Sequence, residues 1–372
     1  MAITLAQAQN LSQSKLTNKI VDEFRKCPLL DAIPFDNTVK PQGGKTLAYV
    51  FNRITTQPKA GARQINGEYT SQETVTTPET VVLKVMGGAY ELDRVIAADE
   101  KQVVDHVQFQ STQKAKATRA YFLDQFINGD VAVDAKGFDG IDKAVKGTIT
   151  ERNTGSTLDL SNSTAIDSNY KTFLYELRRM EAKMVEKPTH YLMNSDMYAV
   201  FQTIADRVPN IRYDKDAFGE EIIKYGKAVL VDMGDKPGSD DTTGETNPIV
   251  ANAANGETSL YAVVLGEDKV HGVSPDGNEV IKHYYPDFKT AGAVKKGEVE
   301  MVGAIAVETT RAVGVIRKIK VVEAATYKVT TDTTYKANKD YYSKSGETYT
   351  KLVAGTDYTV GSNITGTVYE LA

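Results

Sequence analysis

The chain has 372 residues, of which 41% are hydrophobic and 25% are charged, a composition of ordinary globular proteins at a length too great for one simple core. Its formal net charge of −5 at pH 7 excludes a nucleic-acid binder held by bulk positive charge. The single cysteine, Cys27, excludes a disulfide framework and a multi-cysteine zinc site, and the sequence has neither a secretory signal pattern nor an apolar run of membrane-spanning length.

The first 37 residues are predicted to form an N-terminal arm. The spacing of Leu11, Leu16 and Phe24 is compatible with a short amphipathic helix, which Pro28 would end.

Residues 38–92 contain two strand-like runs, KTLAYVFNRIT and TVVLKVMGGAYEL, on either side of a tip rich in Gly, Thr and Gln. The first half has basic residues and no acidic one, whereas the second half carries four glutamates and one lysine. A hairpin packed on its own domain is the ordinary interpretation. The alternative is a projecting arm that lies on a neighbouring subunit, because the tip near residues 57–77 has too few apolar residues to bury itself.

Residues 99–130 are predicted to form one long helix, which we call the spine. At 1.5 Å per residue it would be roughly 45 Å long, and Asn128-Gly129 supplies a stop. Apolar or small side chains recur on one face at steps of three and four: Val104, Val107, Ser111, Ala115, Thr118, Phe122 and Phe126.

A mixed α/β rhythm follows, with helices predicted at 169–186 and from Ser195, strands at 190–193, 227–233 and 259–266, and a loop at 234–257. The strongest predicted strand pair comprises residues 304–309 and 312–321, which we expect to pack on the spine. The remaining residues, 323–372, are rich in Thr, Tyr, Gly and Asn and predict a small separate β module.

No catalytic, cofactor or metal site is predicted. The histidines, His106, His190, His271 and His283, lie far apart in the sequence without metal-ligand spacing and are interpreted as structural. The GGKT run at 43–46 lacks the first glycine of a phosphate loop. Acidic residues at 214, 216, 240 and 241 are interpreted as solvated loop charges, with weak Ca²⁺ binding as the alternative.

The order of these parts resembles the tailed-bacteriophage major capsid proteins of the Hong Kong 97-type fold. The likeness is carried by GGAYELDRVIAAD before the spine, by FINGD and FDGI after it, by THYLMNSDMYAVF and by AVETTRAVGVIRKIKV. It implies an α+β chain made of successive segments: N-terminal arm 1–37, extended loop 38–92, peripheral domain 93–135 and 285–322 with the spine, axial α/β domain 136–284, and an appended all-β module 323–372.

The resemblance further implies a non-enzymatic protein without cofactors that assembles as hexamers and pentamers into an icosahedral shell around double-stranded DNA, without sequence-specific DNA binding and without a membrane. A portal protein and, because little precedes residue 31, a separate scaffolding protein are the expected partners; assembly is expected in the bacterial host cytoplasm and the mature location in the virion capsid. A shell without covalent cross-links is expected, since no Lys and Asn pair can be placed by motif.

Three sets of residues receive expected roles. The extended-loop residues expected to contact a neighbouring subunit are Arg53, Lys59, Arg63, Glu68, Glu73 and Glu79; those expected to pack the spine are Val104, Val107, Ala115, Phe122 and Phe126. Lys114, Lys116 and Arg119 are candidates to face DNA. The β module, which resembles tails of phage proteins from Gram-positive hosts, is expected to project from the outer surface.

Three alternatives stay open at this stage. An encapsulin-like compartment shares the fold and would enclose enzymes. A phage tail-tube or adhesin protein would account for the β module and not for the spine. An enzyme of unknown type is disfavoured by the absence of a catalytic constellation.

Overall fold

The computed structural model describes residues 27, 29–39, 44–56, 58–97, 106–208, 211–215, 221–236, 238, 247–277, 280–323, 327–330, 332–336, 341–345, 348–352, 357–365 and 367–371. The amphipathic helix predicted in the N-terminal arm lies outside this part of the chain.

The helices are α1 (Leu29–Ala32), α2 (Arg94–Ala97), α3 (His106–Asn128), α4 (Ile141–Val145), α5 (Ser163–Glu181) and α6 (Ser195–Ala205), with a 3₁₀ turn at Thr310–Ala312. The strands are β1 (Phe35–Asn37), β2 (Ala48–Thr56), β3 (Val75–Val82), β4 (Lys84–Asp93), β5 (Glu151–Asp159), β6 (His190–Met193), β7 (Ile211–Lys215), β8 (Glu221–Tyr225), β9 (Ala228–Asp232), β10 (Glu257–Val263), β11 (Val270–Ser274), β12 (Ile281–Tyr284), β13 (Val294–Val307), β14 (Val313–Lys320), β15 (Tyr327–Val329), β16 (Tyr342–Ser345), β17 (Thr348–Lys351) and β18 (Tyr369–Leu371).

A five-stranded sheet is built around the long strand β13. Strand β13 pairs antiparallel with β4, β12 and β11, and β1 adds to β11 in parallel. The spine helix α3 packs against β4 and β13. The Gly297 backbone lies under the Tyr90 ring, so close that a Cβ there would meet the ring at 2.3 Å.

The spine helix ends at Asn128, at the predicted stop, and its described part begins at His106. Ser111, Thr118, Phe122 and Phe126 are buried along one face, as the spacing predicts. The aromatic end of this face is packed by other rings, because Phe122 lies 5.9 Å from Phe35 and 5.4 Å from Phe138 between centroids.

A seven-stranded sheet in the order β5-β14-β10-β6-β9-β8-β7 forms the second layer, and α5 and α6 lie against it. The predicted strands at 190–193, 227–233 and 259–266 are confirmed as β6, β9 and β10, within two or three residues at their ends. Helix α5 begins six residues before the predicted position 169, because the Asn162 side chain caps it by accepting a bond from Ala165 N at 2.9 Å.

The prediction that 304–309 and 312–321 pair with each other is wrong. The first run belongs to β13 in the five-stranded sheet, and the second is β14, which lies between β5 and β10 in the seven-stranded sheet. The 3₁₀ turn between them redirects the chain, and β14 is buried on both faces, which suits a central strand. Conversely, β11 and β12, grouped by sequence with the axial segment, join the sheet of β13 and β4.

The run TVVLKVMGGAYEL is also not one strand. It divides at the buried Leu83: β3 before it pairs with β2 in a two-stranded hairpin, and β4 after it pairs with β13. Strand β4 is held tightly, since a Cβ at Gly87 would lie 2.0 Å from the Val299 carbonyl oxygen.

The last described strands form a four-stranded sheet of their own, in the order β15-β18-β16-β17. Its interior is aromatic: Tyr341 is fully buried and meets Tyr335 edge-on at 5.0 Å, while Tyr335 stacks on Tyr358 at 4.2 Å.

Candidate intersubunit surface

The hairpin of β2 and β3 has two unlike faces, because side chains alternate along each strand. On the outer face, Val50, Ile54 and Val82 are exposed. Beyond the strands, residues 58–74 are exposed throughout. At the apex Ile65 is 92% exposed, so the hairpin carries exposed apolar surface in the part of the chain that the structure describes.

The inner face holds the hairpin on the five-stranded sheet. Tyr49, Phe51 and Val81 from the hairpin pack on Leu83, Val273 and Ala306, and we call these six residues the root cluster. The Tyr49 ring also meets the His271 ring edge-on, with centroids 5.4 Å apart.

Arg53 fastens the hairpin to the turn after β13. Its Nε donates to the Glu308 carbonyl oxygen at 3.0 Å and its Nη2 to the Val307 carbonyl oxygen at 2.7 Å. Its Nη1 forms an ion pair with Glu79 across the hairpin. Arg53 and Glu79 thus form an ion pair with each other on adjacent strands of one chain, and their contact with a neighbouring subunit stays a prediction.

The other four predicted contact residues lie at the exposed tip. Arg63 donates to the carbonyl oxygens of Gln64 at 3.3 Å and Gly67 at 3.1 Å, and its guanidinium lies 5.4 Å from the Tyr69 ring centroid. For Lys59, Glu68 and Glu73, the described chain contains no ion pair. Arg63 thus shapes the turn, and the remaining three charges face solvent.

His271 is a residue whose place in the site sequence reasoning missed. It is fully buried, and neither ring nitrogen has a hydrogen-bond partner among the described residues. Burial lowers its pKa, although Glu308 and Asp36 act in the opposite direction. Burial, with Glu308 and Asp36, also raises the pKa of Tyr49 to about 12, and the Tyr49 hydroxyl donates to Glu308 Oε1 at 3.4 Å. The sequence carries no signal that Tyr49 and Phe51 face inward, because Val50 between them is also apolar.

The predicted spine residues are not equally placed. Phe122 and Phe126 are fully buried, while Val107 and Ala115 are half-buried, and Val104 lies outside the described residues.

The three basic residues proposed to face DNA have different surroundings. Lys114 lies over Gly88 of β4, and Arg119 forms an ion pair with Asp31 of α1. Lys116 is half-buried.

The histidines do not form a site. His283 accepts or donates a bond with Ser111 Oγ at 2.7 Å, and His190 Nδ1 lies 3.0 Å from Thr189 Oγ1. Within the described ranges, no cluster of three or more His, Cys, Asp or Glu is arranged to hold a metal ion. Of the acidic residues predicted to lie in loops, Asp214 is on strand β7 instead, where it pairs with Lys224 at 2.6 Å, whereas Asp216, Asp240 and Asp241 lie outside the described residues. None of the helices described is both long and apolar enough to cross a membrane.

No protein-family model matches the sequence, and no curated protein matches it. Solved structures do. The chain is similar to that of the holo-SrpI encapsulin complex from Synechococcus elongatus PCC 7942, with a TM-score of 0.58 and 13% identity over 88% of this chain and 100% of that chain. The capsid of a native GTA particle follows with a TM-score of 0.54 and 13% identity, covering 83% of this chain and 96% of that chain. A structure from Mycobacterium phage Bobi has a TM-score of 0.54 and 12% identity over 85% of this chain and 99% of that chain.

These similarities define a class by fold. The matched chains are covered almost completely, over 96–100% of their length. The chain has the mixed α+β Hong Kong 97-type capsid fold.

Proposed function

We propose that this chain is the major capsid protein of a tailed phage, which assembles as hexamers and pentamers into an icosahedral shell around double-stranded DNA. The observation that carries the proposal is the hairpin: in the described part of the chain it is held on its own subunit by the root cluster and by Arg53, while its outer face and tip are exposed. The fold match to the GTA capsid and to phage Bobi supports it, and capsid shells are structural assemblies, which favours a non-enzymatic role.

The occupant proposed for the open hairpin surface is a neighbouring copy of the chain. Apolar burial at Val50, Ile54 and Ile65 would supply most of the free energy of contact. Lys59, Glu68 and Glu73 would set the register, since exposed ion pairs contribute only about 0–1 kcal/mol each.

The interior proposed for this shell holds DNA without reading its sequence. A chain with a net charge of −5 would grip DNA weakly, which suits a genome that must be packed and released. A scaffolding protein and a portal protein complete the proposed set of partners, with assembly in the host cytoplasm and the virion capsid as the final location.

The proposal also assigns the chain to successive segments of the capsid fold. The arm, the extended loop, the peripheral and axial domains and the C-terminal module keep the boundaries predicted above, with β14 contributing to the axial sheet and β11 and β12 to the peripheral sheet. The four-stranded C-terminal sheet is the part proposed to project outward.

Negative-stain electron microscopy of the protein expressed alone, beside sedimentation of the same sample, tests the function. Closed polyhedral shells, or tubes and sheets of hexamers, are the expected products. A discrete monomer or dimer that persists when a scaffolding protein is co-expressed would overturn the proposal.

An encapsulin-like compartment is the second candidate because one of the matched structures is an encapsulin. Shells purified from the native source distinguish the two. A phage capsid contains packaged double-stranded DNA, whereas a compartment contains a co-purifying cargo protein at fixed stoichiometry and no genome.

Denaturing electrophoresis of purified particles tests the expectation of a shell without covalent cross-links. We expect one band at the mass of the chain, 40.7 kDa. A ladder of high-mass bands that survives boiling in detergent and reductant would contradict it.

A further inference from the structure

His271 lies in a position that is unusual for a titratable side chain. It is 0% exposed on β11, and both of its ring nitrogens lack hydrogen-bond partners within the described residues. A neutral imidazole has one donor and one acceptor, so this burial leaves polar atoms unsatisfied. Such groups are costly in a protein interior and call for an explanation.

Charged and titratable groups approach His271 from each neighbouring element. Tyr49 comes from β2 of the hairpin, Asp36 from β1, Glu308 from the turn after β13, and Glu267 and Asp268 from the turn before β11. The four carboxylates favour an imidazolium, but the effect of burial is larger, and the pKa of His271 is lowered on balance.

The hairpin is the wall of this site that can move as a unit. Strands β1, β11 and β13 are joined to one another by backbone hydrogen bonds. In the described chain, β2 and β3 instead pair with each other in a separate sheet. The hairpin is held on β11 and β13 by the root cluster and by the Arg53 bonds to two carbonyl oxygens.

We propose that His271 is a pH-sensitive latch for the hairpin: protonation of the buried ring releases the root cluster and lets the hairpin lift from the five-stranded sheet. Lifting exposes the imidazolium to water and removes the edge-on Tyr49 ring from it. The latch is a property of the single subunit and does not depend on the proposed function in a shell.

The direction of the effect follows from the two states of the ring. In the lifted state His271 has its ordinary pKa of 6.5, and in the closed state its pKa is lower. The closed state is therefore fully favoured above pH 6.5 and loses stability relative to the lifted state as the pH falls below that value. At pH 5.0 the lifted population can rise by up to about thirtyfold, since each pH unit below the ordinary pKa contributes about a factor of ten.

Hydrogen–deuterium exchange of the unassembled full-length chain at pH 7.5 and pH 5.0, corrected for the intrinsic exchange rate, tests the latch. We expect the protection of β2 and β3 amides to drop at pH 5.0, by up to about thirtyfold, while β14 amides keep theirs. Unchanged protection of β2 and β3, or an equal drop in β14, would overturn the proposal.

Two variants identify the ring responsible. His271→Phe keeps an aromatic ring under Tyr49 and His271→Gln keeps a neutral polar group, and both should abolish the pH-dependent drop. His190→Gln is the matched control, because His190 is partly buried on β6 with a pKa that burial also lowers, and it should leave the drop intact. A drop that persists without His271, or that disappears with His190→Gln, argues against the latch; if neither His271 variant folds, the wild-type comparison of the hairpin with β14 decides.

Discussion

Gly140 lies where the chain crosses the end of the spine helix. Its N–H donates to the Gly129 carbonyl oxygen at 2.8 Å, and a Cβ at this position would lie 2.7 Å from the carbonyl oxygens of Gln125 and Ile127. A Cβ at Gly129 would meet the Phe138 carbonyl oxygen at 2.2 Å. The FINGD and FDGI motifs thus have a physical reason: two backbone segments touch where side chains would keep them apart.

We expect Gly140→Ala to lower the free energy of unfolding by about 1–3 kcal/mol, because the new methyl group has backbone on several sides. Urea unfolding of the unassembled chain measures this. The control is Gly61→Ala, where a Cβ would meet nothing within 4 Å. Equal urea midpoints for the two variants would show that the close backbone contact at Gly140 is not the cause of the destabilisation.

Arg317 on β14 gathers a partly buried polar network in the seven-stranded sheet. Its Nε donates to Glu151 Oε1 at 2.5 Å and its Nη2 lies 2.8 Å from Asp142 Oδ1, which also accepts the Tyr261 hydroxyl at 2.7 Å. Burial alone would raise the pKa of Glu151, but the Gly147 N–H and Arg317 outweigh it and hold that pKa below its usual range. The stabilisation is therefore present above the ordinary Glu pKa and is lost as the pH falls below it.

We expect Arg317→Met to lower the free energy of unfolding by about 2–3 kcal/mol at pH 7, since it leaves two carboxylates without their cationic partner. The difference in unfolding free energy between variant and wild type should narrow as the pH falls towards 4 and Glu151 is neutralised. Thermal unfolding across this pH range measures both effects. Lys296→Met removes an exposed pair with Glu298 and serves as the control with little expected change. A difference in stability that does not change with pH would exclude the Glu151 carboxylate as the cause of the destabilisation.

The hairpin is the element for which the sequence-based prediction and the structure differ most. Its existence follows from alternation, but its inner face could not be told from its outer face, because both contain apolar residues: Tyr49 and Phe51 on one, Val50 and Ile54 on the other. Contact with β11 and β13, which are distant in sequence, selects the inner face.

At the tip of this element we expect Ile65→Ser to raise the protein concentration needed for shell assembly by about tenfold, because an apolar side chain buried on a neighbour contributes roughly 1.5 kcal/mol or more. Sedimentation across a concentration series measures this threshold. The melting temperature of the subunit should not change, since Ile65 is 92% exposed. Val133→Ser, at a loop residue that is 87% exposed, is the matched control. If wild type and both variants assemble at the same protein concentration, Ile65 does not take part in the contact between subunits.

At the scale of the whole molecule, the chain is divided into sheets that do not follow sequence order. The spine and the five-stranded sheet draw on β1, β4 and β11–β13, while the seven-stranded sheet reaches from β5 to β14. The C-terminal strands β15–β18 pair among themselves around Tyr341. This separation suggests that the C-terminal sheet can be removed without exposing the large cores.

We therefore expect a chain lacking residues 326–372 to fold and to form closed particles of the same diameter. Electron microscopy of the truncated protein measures this. A chain lacking residues 313–372, which also loses β14 from the centre of the seven-stranded sheet, should fail to fold and serves as the control. Open or irregular particles from the first truncation would show that the module holds the lattice together.

What the sequence by itself determined is local. The stop at Asn128-Gly129, the buried face of the spine and the strands β6, β9 and β10 follow from side-chain period and from turn chemistry, which act over a few residues. The order of these parts was enough to predict the capsid fold.

Only the tertiary structure decided which strands pair, which charges meet and which side chains are buried. The separation of β13 from β14, the division at Leu83, the use of Arg53 and Glu79 within one chain and the burial of His271 all depend on contacts between distant segments. The physical reason is that a strand's period specifies which side chains share a face, whereas its backbone hydrogen bonds accept any strand of suitable length, so the choice of neighbour is made by the packing of the whole core.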